Sequence, residues 1–367
     1  MTKSGADRAK TDADVAARVA SLRLQHFRSY GDARFTFADG VNIIVGPNAS
    51  GKTNILEAVL VAALGSSFRA RDAELMQTGA EWTRLDVEAN GKARVVKLQT
   101  APNGTSAKSF EIDGQSLARL HLNRTIPAVL FEPDHLLLFT GSPDARRVFL
   151  DDLLEQIEPS FGPIRRHYRR VLAQRNALLK KQPHDVREQL FVWNLRLSEL
   201  GGQIAVRRMG LISQMNEQLG NVYAQIAGRT HDVRLRYVSS NDSEQYESAL
   251  LKRLETNVDL DIARGFTGAG PHRDDIVAEI DSQPMADVAS RGELRTLVLA
   301  LKMLELQLLE TARGARPLLL LDDVFSELDA KRRQALTHFV RDYQTFITTT
   351  DADVVAHHFA SSNIIRL

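Results

Sequence analysis

Residues 46–53 read GPNASGKT, and their types and spacing suit one chemistry, the holding of nucleotide phosphates. Gly46 and Gly51 let the backbone turn its amides inward, with Pro47, Asn48, Ala49 and Ser50 forming the loop between them. Lys52 reaches the β- and γ-phosphates, and Thr53 offers a hydroxyl to Mg²⁺. Such a loop needs an acid at the end of another strand. RPLLLLDDVFSELD, residues 316–329, supplies two: Asp322 for the hydration shell of the ion and Asp323 to polarise the attacking water. Lys52 and Asp323 are thus the candidate catalytic residues of ATP hydrolysis, and Thr53 and Asp322 the candidate metal ligands. A third stretch, ASRGELRTLVLALK at 289–302, sets Ser290 and Glu293 as an S-x-x-E capping box before an apolar-periodic helix. This capped helix start, with Gly292 beside it, presents free amides and a positive dipole end that suit a γ-phosphate, although an ordinary structural N-cap has the same sequence.

These residues need elements to position them. VNIIV at 41–45 and the leucine run at 318–321 read as buried strands, and NILEAVLVAAL at 54–64 as a helix. With 367 residues, 43% of them hydrophobic, the chain can form two domains, or one large domain with an inserted lobe. The expected fold is α/β, a P-loop ATPase head with a mixed sheet, formed by 21–130 and 265–367. Residues 131–264 form a compact, mainly helical inserted lobe, and 1–20 a mobile N-terminal extension. Gly201 and Gly202 are expected to kink or break a long helix in that lobe. GPHRDD at 270–275 reads as a turn in which Arg273 pairs with Asp274 or Asp275.

The chain has no cysteine, which excludes a disulfide scaffold and thiolate-bound metals and fits a reducing cytoplasm. Its charged N-terminus is no secretory signal, and no apolar window is long enough to span a membrane. A net charge of +1 says little about nucleic acid, but IRRHYRRVLAQRNALLKK at 164–181 carries seven Arg or Lys and no acid. At helical spacing Arg165, Arg166, Arg169, Arg170, Lys180 and Lys181 share one face, opposite Tyr168, Val171 and Leu179; Arg175 breaks the pattern. That face suits the DNA backbone, or else a solvated surface whose acidic partners come from neighbouring helices.

Taken in order, LRLQHFRSY (22–30), FEPDHLLLFTGSPDARRVFLDDLL (131–154), YRRVLAQRNALLK (168–180), GAGPHRDD (268–275), the SRGE and LLLLDDVFSELD segments and TFITTTD (345–351) resemble the RecF family of DNA-repair ATPases. This is a branch of the ABC-type heads, in which SRGE stands where transporters carry a Gly-rich signature. The resemblance implies an ATP-dependent homodimer. Each ATP is held by one protomer's Gly46–Thr53 loop and capped by Ser290, Arg291 and Gly292 of the other, and the dimer closes on DNA (double-stranded, single-stranded or gapped). It implies recombinational repair and replication restart, with RecR and RecO assisting RecA loading at gaps and SOS induction. Arg28 reaches nucleotide phosphate by the same resemblance, or is a surface arginine. Two departures from the wider ABC pattern stand out. Asp323 replaces the usual Glu, one methylene longer, so hydrolysis should be slow. The switch histidine is missing, and Thr348, Thr349 and Thr350 stand near its place.

Two other classes are weighed against this one. A transporter's ATPase subunit needs a Gly-Gly signature, a switch histidine and a shorter span, none of which is found here. A metabolic P-loop kinase needs no SRGE segment.

Overall fold

The buried run Val41–Val45 forms a parallel strand, as an apolar stretch covered on both faces should. It belongs to the first of two units into which contacts divide the chain. That unit runs to Pro133 and resumes at Glu305, and the second spans Asp134–Leu304. The structure is a computed structural model and describes residues 16–101, 104–241, 244–359 and 361–367.

In the first unit a parallel sheet has the order β14 (Ser362–Arg366), β3 (Val41–Val45), β13 (Thr345–Thr349), β12 (Leu318–Asp322), β8 (Ala128–Phe131). Parallel strands place all their C-terminal ends along one edge, where α/β sheets bind ligands. An antiparallel sheet has the order β2 (Tyr30–Thr36), β1 (Val19–Phe27), β4 (Trp82–Ala89), β5 (Lys92–Thr100), β6 (Ser106–Ile112), β7 (Gln115–Leu117). Helix α1 (Lys52–Leu64) is apolar on nearly every side and buried accordingly. Its Ile55, Leu56 and Val59 share one core with Leu22, Leu85 and Val96 of the antiparallel sheet and Leu320 and Phe346 of the parallel one. The α/β reading holds, and both strands and the helix predicted around the phosphate loop are present. Of the expected extension, residues 1–15 lie outside the described residues. Residues 16–20 do not hang free: Ala17 is buried and donates its N–H to Arg316 at 2.9 Å, and β1 begins at Val19.

The second unit holds α2 (Pro143–Ile157), α3 (Phe161–Lys181), α4 (Val186–Ala227), α5 (Tyr246–Thr256), α6 (Val258–Arg264) and α7 (Met285–Val288). A small antiparallel sheet has the order β11 (Gln283–Pro284), β10 (Asp275–Ile280), β9 (Val233–Val238). Helix α8 (Arg291–Arg313) contains the boundary between the units. The expected boundary at 264 falls 40 residues earlier than Leu304 (304 − 264), because β10 pairs along its length with β9 and keeps 265–304 in the helical unit.

Helix α4 is neither broken nor interrupted at Gly201 and Gly202. A Cβ at Gly201 would come within 2.8 Å of Leu250 and 3.2 Å of Pro271, and one at Gly202 within 3.0 Å of Glu247. These glycines admit close-packed neighbours. The GPHRDD segment is locked into the same core. Gly270, at φ 128, leaves room for the Tyr168 hydroxyl, which lies 2.6 Å from His272 Nδ1. Buried Asp274 accepts hydrogen bonds from Tyr237, Ser239 and Tyr246, and Asp275 takes a two-pronged ion pair from Arg146. Arg273 pairs with neither aspartate; its guanidinium lies over the Phe266 ring, 4.9 Å from the centroid. Among the described residues no helix is long and apolar enough to cross a membrane.

Candidate nucleotide and nucleic-acid sites

Strand β3 ends at Val45 and α1 begins at Lys52, so Gly46–Gly51 must reverse the chain in one tight loop. Gly51 sits at φ 99, and a Cβ there would lie 2.7 Å from the Tyr30 hydroxyl. A Cβ at Gly46 would press to 2.5 Å from Ser50 Oγ. Pro47, Asn48 and Ala49 form the exposed lip, with Ala49 at φ 65. The Gly46 N–H donates to Thr349 O at 3.3 Å, which ties the loop to β13. Two features fit this cradle to an anion. Helix α1 has no side-chain cap and no acid in its first turn, so its leading amides have no side-chain competitor. Ser50 Oγ is buried without a partner. Lys52 is 4% exposed, and its ammonium donates to the carbonyls of Gly46 at 2.8 Å and Pro47 at 2.9 Å.

The acid strand meets this loop directly. Thr53 Oγ1 donates to Asp322 Oδ1 at 3.0 Å, bringing the two candidate metal ligands together across 269 residues of sequence. A hydroxyl beside a carboxylate is a hard oxygen set that fits Mg²⁺, which takes one or two protein ligands and completes its shell with water and phosphate. Asp323 follows at φ 51, a left-handed conformation uncommon for a residue other than glycine. Burial raises its carboxyl, Lys52 pulls it back down and Asp322 pushes it further up.

Thr348 holds both aspartates in place. The β12–β13 register sets it opposite Asp322, where its hydroxyl donates to Asp322 Oδ1 at 2.6 Å and accepts the Asp323 N–H at 2.9 Å. Its side chain is fully buried and engaged by the two aspartates. Thr349 is likewise turned to Asp351, and only Thr350 is exposed. Thr348→Val keeps the shape and removes both bonds. It should lower stability to guanidinium by roughly 1.5–3 kcal/mol, as expected for hydrogen bonds to a charged group, while Thr348→Ser should recover most of it.

Arg28 is committed elsewhere than to phosphate. Its Nε and one terminal nitrogen grip Glu57 at 2.8 and 2.7 Å, and the other terminal nitrogen donates to Glu74 O. Glu57 is fully buried on α1 and also accepts from Arg69 and Ser67. Burial raises its carboxyl, but Arg28, Arg69 and Ser67 together outweigh burial and hold it low. Sequence reading missed this residue, although a lone acid in the apolar run NILEAVLVAAL was the available signal. The turn at Arg28–Tyr30 is thereby fastened to the phosphate loop, with Tyr30 donating to Gly51 O at 3.2 Å and Asn54 to Ser29 at 2.9 Å.

The capping box forms as its sequence predicts. Glu293 Oε2 accepts from the Ser290 N–H and hydroxyl, each at 2.8 Å, and the Glu293 N–H donates to Ser290 Oγ at 3.2 Å. Ser290 and Arg291 are exposed at the start of α8, beside partly buried Gly292.

The basic helix divides in two. Arg166, Arg169, Arg170, Lys180 and Lys181 are exposed on α3. At 1.5 Å per residue they mark a stripe about 22 Å long. Arg165 leaves the expected face: it is 8% exposed and lies 3.0 Å from each of Asp151, Asp152 and Glu155 on α2. Arg175, the apparent misfit, is fully buried and bound to Asn194, Asp261 and Thr267.

A phosphate loop on the edge of a parallel sheet, an aspartate pair at the same edge two strands away, an antiparallel sheet sharing its core and a capped SRGE helix define an ABC-type P-loop ATPase head. The family described as RecF/RecN/SMC N terminal domain matches residues 18–366. The chain is 38% identical over 344 residues to the DNA replication and repair protein RecF of Synechococcus sp. (strain JA-3-3Ab), covering 90% of each. It is also similar to a solved structure of the recombination mediator protein RecF-ATPrS in the RecFOR pathway. There the TM-score is 0.83 and the identity 27%, over 93% of this chain and 95% of that one. An Smc head bound to the C-winged helix domain of ScpA shares the fold, with a TM-score of 0.50 and 17% identity over 92% and 91%. The chain belongs to the RecF family.

Proposed function

We propose that this chain is an ATP-dependent DNA-binding protein of recombinational repair and replication, in which ATP drives a homodimer that closes on DNA and slow hydrolysis releases it. The observation that carries the reading is the joining of Thr53 to Asp322 beside an open, uncapped α1, the arrangement a Mg-nucleotide site needs. It is supported by the solved relative described with ATPrS.

In this reading the amides of Gly46–Lys52 take the β-phosphate and Lys52 leaves the loop carbonyls for the β- and γ-phosphates. Thr53 and Asp322 would hold Mg²⁺, which when bound would offset the charge of the phosphates. Asp323 orients the water. Ser290, Arg291 and Gly292 of a second protomer cap the γ-phosphate. The exposed cations of α3 take the DNA backbone, where contact is insensitive to sequence and falls steeply with salt. RecR, RecO and RecA as partners rest on family membership alone. Nothing in the site favours the transporter reading.

Two measurements test the proposal. Labelled DNA should gain anisotropy with ATP and not with ADP, and the gain should vanish in Lys52→Ala; binding indifferent to nucleotide would sink the clamp. Asp323→Asn should keep ATP binding and slow hydrolysis by about 10²-fold or more, on the scale of losing one general base, so that the dimer outlives the parent's. A faster turnover would remove Asp323 from its role.

A further inference from the structure

The entrance to α8 carries a charge that a triphosphate should not tolerate. Glu293 lies within hydrogen-bond reach of Ser290, and the Ser290 N–H, then its hydroxyl, then Arg229 hold its carboxyl below the usual range. It is therefore anionic at neutral pH. An acid here suits the helix dipole, yet it repels any phosphate brought to the same serine. The Glu293 oxygen that does not cap Ser290, Oε1, is met by the guanidinium of Arg229.

Arg229 has an exposed side chain, and the loop that carries it is pinned through its neighbours. Helix α4 stops at Gly228, which adopts φ 68 and turns the chain toward the start of α8. The next residues are pinned to the turn after β10. His231 Nδ1 lies 2.8 Å from Asp281 Oδ2, the Asp232 N–H donates to Asp281 Oδ1 at 3.1 Å, and the Asp281 N–H returns to Asp232 O at 2.8 Å. Arg291 stands exposed at the same helix start.

We infer that Arg229 is a positioning residue of the shared nucleotide site, which neutralises Glu293 so that Ser290, Arg291 and Gly292 can meet a γ-phosphate held by a second copy of the chain. As the phosphate arrives, the Ser290 hydroxyl turns its proton from Glu293 Oε2 to a phosphate oxygen. Glu293 keeps the Ser290 N–H and Arg229. Without Arg229 a bare carboxylate faces the incoming anion. The inference rests on the ATP-driven dimer proposed above.

The test separates binding within one protomer from closure between two. Binding of a fluorescent ATP analogue to dilute monomer should be unchanged in Arg229→Ala, because the phosphate loop is untouched. ATP-driven dimerisation, followed by sedimentation, should weaken about tenfold or more, as like charges brought together across an interface do. Arg229→Lys should restore most of it. So should Arg229→Ala combined with Glu293→Gln, since glutamine still completes the capping box and leaves no charge to neutralise. An Arg229→Ala protein that dimerises like the parent, or a double variant as weak as the single one, overturns the inference. A parent that does not dimerise with ATP overturns instead the reading beneath it.

Discussion

Lys52→Met should abolish ATP binding and leave the free protein at least as stable as the parent. The two effects share one cause. Lys52 is a buried ammonium whose hydrogen bonds go to two loop carbonyls, and it makes no ion pair among the described residues. Stripping an ammonium of water costs several kcal/mol, which neutral carbonyls recover only in part. The protein thus holds a cation ready for phosphate at the expense of its own stability. Methionine keeps the aliphatic stem and removes the charge, a replacement that for buried ionic groups is often neutral or stabilising by about 1–4 kcal/mol. The parent should gain about 2.7 kcal/mol at an ATP concentration of ~100 Kd, and the variant nothing. Thermal unfolding with and without ATP reads both effects. A variant still stabilised by ATP would move the nucleotide site away from Gly46–Thr53.

The fold of the Gly46–Thr53 loop was legible because local spacing fixes it. A strand, two glycines at the turn and a helix leave the loop little freedom, and the leucine run announces the buried strand that carries Asp322. What escaped the sequence depends on partners far along the chain. TFITTTD offers four hydroxyls, and only the register of β13 on β12 reveals that Thr348 clamps the aspartates. Arg28 and Glu57 lie 29 residues apart, and neither motif names the other. Gly201 and Gly202 could bend a helix or admit a neighbour; the neighbours, Leu250, Pro271 and Glu247, arrive from later in the chain. A helical wheel reports the direction of a side chain and not what waits there, so it could not distinguish Arg165 from Arg166.

The distinction between those two arginines yields the second large effect. Replacing Arg166, Arg169 and Arg170 together by glutamate should leave stability nearly unchanged, because all three are exposed and exposed substitutions usually shift it by about 0.5 kcal/mol or less each. If these residues hold phosphates, DNA binding should fall steeply. Each phosphate contact contributes about 0.9 to the slope of log K against log salt on duplex DNA, so losing three should flatten it by roughly 2.7. Arg165→Ala should do the reverse. Its guanidinium balances Asp151, Asp152 and Glu155, and Asp151 also carries the two-pronged pair with buried Arg208. Arg165 and Asp151 are buried while Asp152 is exposed and Glu155 half-buried, so the loss should lie at or below the low end of the about 3–5 kcal/mol typical of breaking a fully buried pair. The variant should therefore unfold earlier in denaturant yet, while folded, keep the parent's salt slope. A titration of labelled duplex at several salt concentrations, beside a guanidinium unfolding curve, separates the two arginines. If the triple variant keeps its slope, the exposed stripe is a solvated face and DNA contact must be sought on another surface of the protein.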